Sequence, residues 1–378
     1  MKIVSIETFL LPPRWLWVRV ESDEGGVGWG EGSLEGHAEA VAGVFESFRD
    51  RFIGYDPFRI EDIWQVAYRS GFYRGGPVLM SALSGLEQAL WDLKGKTLNL
   101  PIWEMLGGRV RDKVQAYAWI GGDRPSEVAQ AARDRKAQGF AAVKMNATAE
   151  AGWLESPKTL GSVVERVEAV KAEGLEVGVD FHGRLHKPLA KQLLALLEPC
   201  RPLFVEEPLL SEHLEAITEL SGLTSIPIGL GERLYSRWDF KRFLSSGIDI
   251  LQPDLSHAGG ISEVRKIAAM AEAYDLAVAP HCPLGPLALA ACLQVAACTP
   301  NVALQEMSLG IHYNQTHDLF AFMTNPQVLT PINGYLQIPT GPGLGVTLDE
   351  AAVRAAQAEP HRWRNPVWRN PDGGVTEW

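Results

Sequence analysis

Between residues 114 and 306 eight short apolar runs recur, each followed by a segment of helical periodicity. They are VQAYAWIGG (114–122), FAAVKMN (140–146), LEVGVDFH (175–182), PLFVEE (202–207), IPIGLGE (226–232), IDILQPD (248–254), LAVAPH (276–281) and NVALQE (301–306). Continuous apolar runs of this length, joined through amphipathic stretches such as EVRKIAAMAEAY, read as buried parallel strands with helical crossovers. Eight evenly spaced units fit a (β/α)8 barrel of the α/β class better than a doubly wound open sheet.

The polar residues that end these runs keep the same period. Asp180 to Glu206 is 26 residues, Glu206 to Glu232 is 26, Glu232 to Asp254 is 22, Asp254 to His281 is 27 and His281 to Glu306 is 25. One βα unit of a barrel of roughly 250 residues occupies about that length. Lys144 to Asp180 is longer, 36 residues, and AEAGWLESPKTLG supplies an insertion.

The chain outside the barrel follows another pattern. The first 30 residues alternate apolar runs with turns, an antiparallel meander, and residues 39–106 shift to helical spacing with SALSGLEQALWDLKGK the clearest helix. Strands in one block and helices in the next read as an α+β domain. We therefore expect a capping domain over 1–110, a barrel over 111–325 and an irregular Pro-, Gly- and Trp-rich segment, 326–378, that packs back on the cap.

Strand ends of a barrel converge on one open face, so Asp180, His182, Glu206, Glu232, Asp254, His281 and Glu306 should share one mouth. Strand alternation would point Asp180 and His182 inward together and send Phe181 to the helices. Asp180, Glu206 and Glu232, on successive strands, would raise one another's pKa at a cost in stability that a hard divalent cation relieves. Oxygen-only ligation favours Mg²⁺, with Mn²⁺ as a substitute. Glu207 adjoins Glu206, and spacing leaves open which of the two binds metal. Asp254 beside His281 on the neighbouring strand would fix the imidazole tautomer and raise its basicity, as a general base requires. His186, His257 and His312 fall just beyond strand ends, at the rim of the mouth.

At these residues the sequence resembles the enolase superfamily. Asp180, Glu206 and Glu232 resemble its metal triad, and Asp254 with His281 resembles the His-Asp dyad of its mandelate racemase group. DFHGRLHKP, RPLFVEEPLL, GERLYSRWDFKRFL, ILQPDLSHAGGI, APHCPLGPLALAACL, GFYRGGPVLMSA, MSLGIHYNQ and WRNPVWR look like the bacterial sugar-acid dehydratases of that group, along essentially the whole chain. The resemblance implies Mg²⁺ on the three acids and D-galactonate as substrate. It implies that His281 takes the C2 proton, His182 protonates the departing 3-hydroxyl, and Glu306 hydrogen-bonds the substrate carboxylate as charge develops there. It also implies a symmetric homo-oligomer and a barrel whose eighth strand is unconventional. One departure stands out: relatives with a Lys-x-Lys base on the second strand differ from VKMN, where Asn146 follows Lys144. Asn cannot take a proton, which disfavours a racemase or cycloisomerase, while other aldonates such as gluconate or arabinonate remain alternatives.

Loops of the first domain should cover the mouth and read the sugar end, and Arg14 in LPPRWLW and Arg74 in SGFYRGGP are the candidates, with Asn146 from the barrel. The partner is then a small-molecule aldonate. A formal charge of −11 excludes general affinity for nucleic acid or an anionic membrane. The start shows no secretory leader pattern, and Cys200, Cys282, Cys292 and Cys298 lack CxxC spacing, which together suggest reduced thiols and a cytoplasmic enzyme.

Overall fold

A computed structural model describes residues 1–122, 127–311, 317–358 and 361–378. The chain opens with an antiparallel meander of β1 (Ile3–Leu11), β2 (Trp15–Ser22) and β3 (Val27–Glu31), followed by helices α1 (Ala38–Phe52), α2 (Ile60–Arg69) and α3 (Pro77–Leu98). Pro77 starts α3 at a position whose N–H needs no partner, and Asn99 ends it in the left-handed region at φ 54°. The alternating glycines of VGWGE let α3 lie directly on β3. A Cβ on Gly28 would sit 2.0 Å from the Ala89 carbonyl oxygen, and one on Gly30 would sit 2.2 Å from that of Gly85.

The remaining sheet has eight parallel strands: β4 (Lys113–Trp119), β5 (Ala142–Asn146), β6 (Glu176–Asp180), β7 (Phe204–Glu206), β8 (Ile228–Leu230), β9 (Ile250–Leu251), β10 (Ala277–Val278) and β11 (Gln305–Glu306). Parallel pairing of β11 with β4 and a single Val278–Val302 bridge close the ring. All eight apolar runs become strands, and the last is only two residues long. The parallel register runs Asn146 to Asp180 to Glu206 to Gly229, which lines up strand ends in one row.

The segment after residue 326 is less irregular than its composition suggests. β12 (Tyr335–Gln337) pairs antiparallel with the outer end of β4. A helix, Glu350–Gln357, capped by the Asp349 side chain, packs on β1, where Gln357 accepts from Leu10 N and Arg354 pairs with Glu7.

Buried carboxylates of the first domain fasten it to the barrel. Glu31 accepts from Gly285 N and Ala288 N at the start of helix Pro286–Ala297. Glu87 accepts from Ile261 N and Ser262 N at the start of helix Gly260–Glu272. Each meets backbone donors that have no partner inside their helix. These contacts hold the cap over the strand ends. All four cysteines are free thiols, three of them buried. Among the described residues no helix is long and apolar enough to cross a membrane.

Candidate active site

The strand ends bring the expected acids together, by a route the alternation argument did not foresee. β6 stops at Asp180, and His182 sits in the turn beyond it at φ 55°, a left-handed conformation uncommon for a side-chain-bearing residue. This turn carries His182 back over Asp180: its backbone N donates to Asp180 Oδ1 at 2.7 Å, and Nδ1 lies 3.2 Å from Oδ2. Phe181 points into the core, as expected.

Glu206 is in register with Asp180, whereas Glu207 turns away at φ 39°. The Glu207 carboxyl accepts from Gly231 N and the Ser211 hydroxyl, holding the residue before Glu232, and burial pushes it up to about 8. Ligand-capable atoms of Asp180, His182 and Glu232 lie within 4.8 Å of one another. Glu232 Oε2 is buried, and its only near polar neighbour among the described residues is the His281 ring, which leaves an anionic oxygen with room for a cation. Glu206, in the same row, directs its oxygens elsewhere: Oε1 to Lys144 Nζ and Oε2 to Gln252 Nε2 at 2.5 Å. The expected oxygen triad is therefore adjacent, but its middle member is engaged by a lysine.

Lys144 is fully buried beneath the mouth, 2.7 Å from Glu306 Oε1 and 3.9 Å from Asp180 Oδ2, with the Trp119 ring 4.6 Å away. Burial works against its charge, but Glu206 and Glu306 hold the ammonium well above the ordinary lysine range. One ammonium does not balance the acids around it. Burial, with Asp180, Glu306 and Glu232 nearby, drives Glu206 well above the usual carboxylate range against the pull of Lys144. The surplus of negative charge is the condition a divalent cation relieves.

Glu306 is also fully buried, and both its oxygens are occupied. Oε1 accepts from Trp119 Nε1 at 2.8 Å as well as pairing with Lys144, and Oε2 accepts from Cys282 N at 2.8 Å. A carboxyl placed in this way positions Lys144 and Trp119.

His281 Nδ1 lies 2.9 Å from Asp254 Oδ2, and Asp254 is anchored in turn by Ser256 N on Oδ1 at 2.6 Å. A parallel bridge joins the two residues' backbones, so adjacent strand ends set the pair. Nε2 of His281 then faces Glu232 Oε2 at 3.1 Å. Burial disfavours the imidazolium, but the charges of Glu232 and Glu306 and hydrogen bonding to Asp254 and Glu232 hold His281 well above its ordinary value. His257, fixed by Ser81 Oγ at 2.9 Å, backs the dyad from 3.7 Å, and burial pulls it below its ordinary value.

These groups face a pocket of about 250 Å³ that His182, Glu232, His281, Asn146, Trp119 and His257 help line. Its volume lies just below the roughly 300–1,000 Å³ of sites for drug-sized ligands, which suits a small acid. Asn146 Nδ2 donates to the Gly122 carbonyl at 3.3 Å and leaves Oδ1 buried without a partner, open to a ligand hydroxyl. Arg14 is buried beside the pocket, where it donates to the Pro283 carbonyl at 2.8 Å and pairs with Glu35, which lines the wall. Arg74 is not brought to the mouth. It is exposed and lies over the Tyr68 ring, in a stack that continues to Trp64 and Trp238, and it does not line the pocket. His186 also leaves the mouth, stacked on Trp153 at 3.6 Å, and His312 lies outside the described residues.

The wall contains groups that sequence patterning missed. Arg233 donates to the His182 carbonyl at 3.0 Å and approaches Glu232 Oε1 at 3.6 Å. Tyr235, Asn365 and Trp378 also line the pocket, the last two from the irregular segment. Arg233 and Tyr235 lie one and three residues after Glu232 in GERLYSRW, and only that adjacency signalled them.

Residues 8–107 match the N-terminal domain family of mandelate racemase and muconate lactonizing enzyme, and residues 127–352 match the Enolase C-terminal domain-like family. Among solved structures, an enolase from Agrobacterium radiobacter, provisionally named a galactarate dehydratase and bound to Na and L-malate, is 30% identical. It covers 100% of both chains at a TM-score of 0.90. A protein from Mesorhizobium loti, provisionally named a dehydratase, is 32% identical at a TM-score of 0.88 over 94% of this chain and 98% of its own. A provisionally named mandelate racemase/muconate lactonizing enzyme from Labrenzia alexandrii is 34% identical at 0.86, over 94% and 99%. Matched over both its domains, with the capped barrel in place, the chain belongs to the mandelate racemase and muconate lactonizing group of the enolase superfamily.

Proposed function

We propose that the protein is a Mg²⁺-dependent dehydratase of sugar acids, with D-galactonate giving 2-dehydro-3-deoxy-D-galactonate and water. The observation that carries this reading is the pairing of two histidines with two acids in one small pocket: His281 on Asp254 and Glu232, His182 on Asp180. Asp180, Glu206 and Glu232 would hold Mg²⁺, whose contribution is to neutralise their charge and that developing on the substrate carboxylate. Mn²⁺ would serve in its place.

His281 Nε2, its Nδ1 held by Asp254, takes the proton from C2. The C2–H electron pair becomes the C2–C3 double bond as the C3–O bond breaks. His182 gives its proton to the leaving oxygen, forming water, and the resulting enol tautomerises to the 2-keto acid. Asn146 accepts from a substrate hydroxyl through its free Oδ1, and Arg14 orders the cap edge of the pocket. Glu306 acts from beneath by fixing Lys144 and Trp119. A protein with this chemistry needs no nucleic acid or membrane partner, and we place it in the cytoplasm as a symmetric homo-oligomer.

The likeness to a structure named for galactarate supports a second reading, the same chemistry on an aldarate. Incubating the protein with Mg²⁺ and a panel of aldonates and galactarate, and scoring 2-keto-3-deoxy product, separates the two. Product from D-galactonate is expected. Product from galactarate alone would move the substrate to the diacids, and none from any acid would overturn the reading.

A further inference from the structure

Residues 361–378 run across the pocket mouth and are fastened on both sides of it. Arg364 forms a two-point ion pair with Glu39 in the first turn of α1, at 2.8 and 3.0 Å. Next to it, Asn365 reaches the pocket wall and fits against Gly36: a Cβ there would lie 1.8 Å from Asn365 Oδ1, and Gly36 has φ 71°. On the barrel side Trp368 lies under the Arg184 guanidinium at 4.6 Å, and Arg184 donates to the Thr148 carbonyl at 2.7 Å, at the start of the insertion between β5 and the following helix.

Between these fastenings an aromatic line crosses the mouth. Arg14 from the cap lies 5.7 Å from the Trp363 ring, Trp363 lies 5.7 Å from Trp378, and Trp378 meets His182 edge to face at 5.8 Å and 86°. Trp378 thus does two things at once: it lines the pocket and it packs on the ring of the residue assigned as general acid.

We propose that Trp378 is a specificity-determining and positioning residue, one that narrows the pocket beside His182 and holds the His182 ring at the leaving group. This rests on the sugar-acid dehydratase reading. Among the described residues the His182 ring has one polar contact, at 3.2 Å with Asp180, which a turn about the Cα–Cβ bond would break, so a ring held in place needs a steric block as well. The indole edge supplies the block. A displacement of about 1 Å in a reacting group can cost on the order of a hundredfold in rate. Proton removal at C2 depends on His281 and Asp254, whereas the indole packs on His182, so the two half-steps should respond differently.

The test is Trp378→Ala and Trp378→Phe in the full chain. Each variant is assayed with Mg²⁺ on D-galactonate and on a seven-carbon aldonate, and C2 deuterium exchange is followed beside product formation. Trp378 is partly exposed, and far-UV circular dichroism and the urea midpoint check that the fold is kept. For Trp378→Ala we expect dehydration of D-galactonate to fall at least about tenfold while C2 exchange stays within about threefold. We also expect the seven-carbon to six-carbon ratio of kcat/KM to rise at least about tenfold, with Trp378→Phe between wild type and Ala. A merely structural loss would lower exchange and dehydration together and leave the ratio unchanged. That outcome, or a variant indistinguishable from an active wild type, overturns the role of Trp378 and leaves the dehydratase reading intact. A wild type that neither exchanges nor dehydrates any of these acids overturns both.

Discussion

Replacing Lys144 by Met tests whether the mouth is built for a divalent cation. Lys144 Nζ is fully buried, pairs with Glu206 Oε1, and lies 2.7 Å from Glu306 and 3.9 Å from Asp180. With an effective dielectric of about 20, those last two contacts are worth about 6 and 4 kcal/mol of attraction, against a burial penalty of several kcal/mol for the ammonium. Removing one partner of such a buried pair costs about 3–5 kcal/mol, because the carboxylates are left uncompensated. In EDTA the Met variant should therefore unfold at lower urea, with that loss of stability. Mg²⁺ should recover part of it. At a hundredfold excess over its Kd a ligand adds about 2.7 kcal/mol. The gain should be larger in the variant than in wild type, because the ammonium no longer competes for the Glu206 carboxylate. Urea unfolding of both proteins in EDTA and in Mg²⁺ reads this directly. Equal destabilisation with and without Mg²⁺, or a variant that loses no stability in EDTA, would refute the argument.

Asp254→Asn should leave folding nearly intact but allow the His281 ring to turn, since the 2.9 Å contact from Nδ1 sets its tautomer; C2 exchange measured by NMR should fall about 10²–10⁴-fold. A rate within twofold of wild type would remove Asp254 from the dyad. Glu87 gives a pH dependence. Burial pushes it up to about 7 from 4.5, so the folded state holds its proton more tightly than the unfolded chain. Its contribution is then full below about pH 4.5 and is lost as pH rises to about 7, by about 3 kcal/mol in total at about 1.4 kcal/mol per unit. Urea midpoints across pH 5–8 should flatten in Glu87→Gln, and an unchanged slope would count against this assignment.

Much of the architecture was legible because a barrel repeats one local pattern. Eight apolar runs at nearly constant spacing had to become eight parallel strands, and residues at their ends had to meet. What escaped was set by contacts between distant parts of the chain. His182 reaches the pocket through a φ of 55° beyond its strand, which a period of two cannot foresee. Lys144 looked like half of a missing base pair; its role as a buried counter-ion depends on Glu206 and Glu306, far along the chain. The contacts of Glu306 with Trp119, Lys144 and Cys282 likewise depend on residues distant in the chain. Arg74 sits between glycines that suggested a lid, but an aromatic stack holds it outside. Trp378 and Asn365 lie in a stretch with no periodicity at all, so nothing before the fold itself could place them at the mouth.

The claim that His281 and His182 divide the chemistry between base and acid is tested most directly by ¹H NMR of D-galactonate in D₂O with Mg²⁺, comparing wild type, His182→Asn and His281→Asn. The account predicts that His182→Asn still exchanges the C2 proton while dehydration falls about 10²–10⁴-fold, and that His281→Asn loses both. Exchange at the wild-type rate in His281→Asn would contradict it.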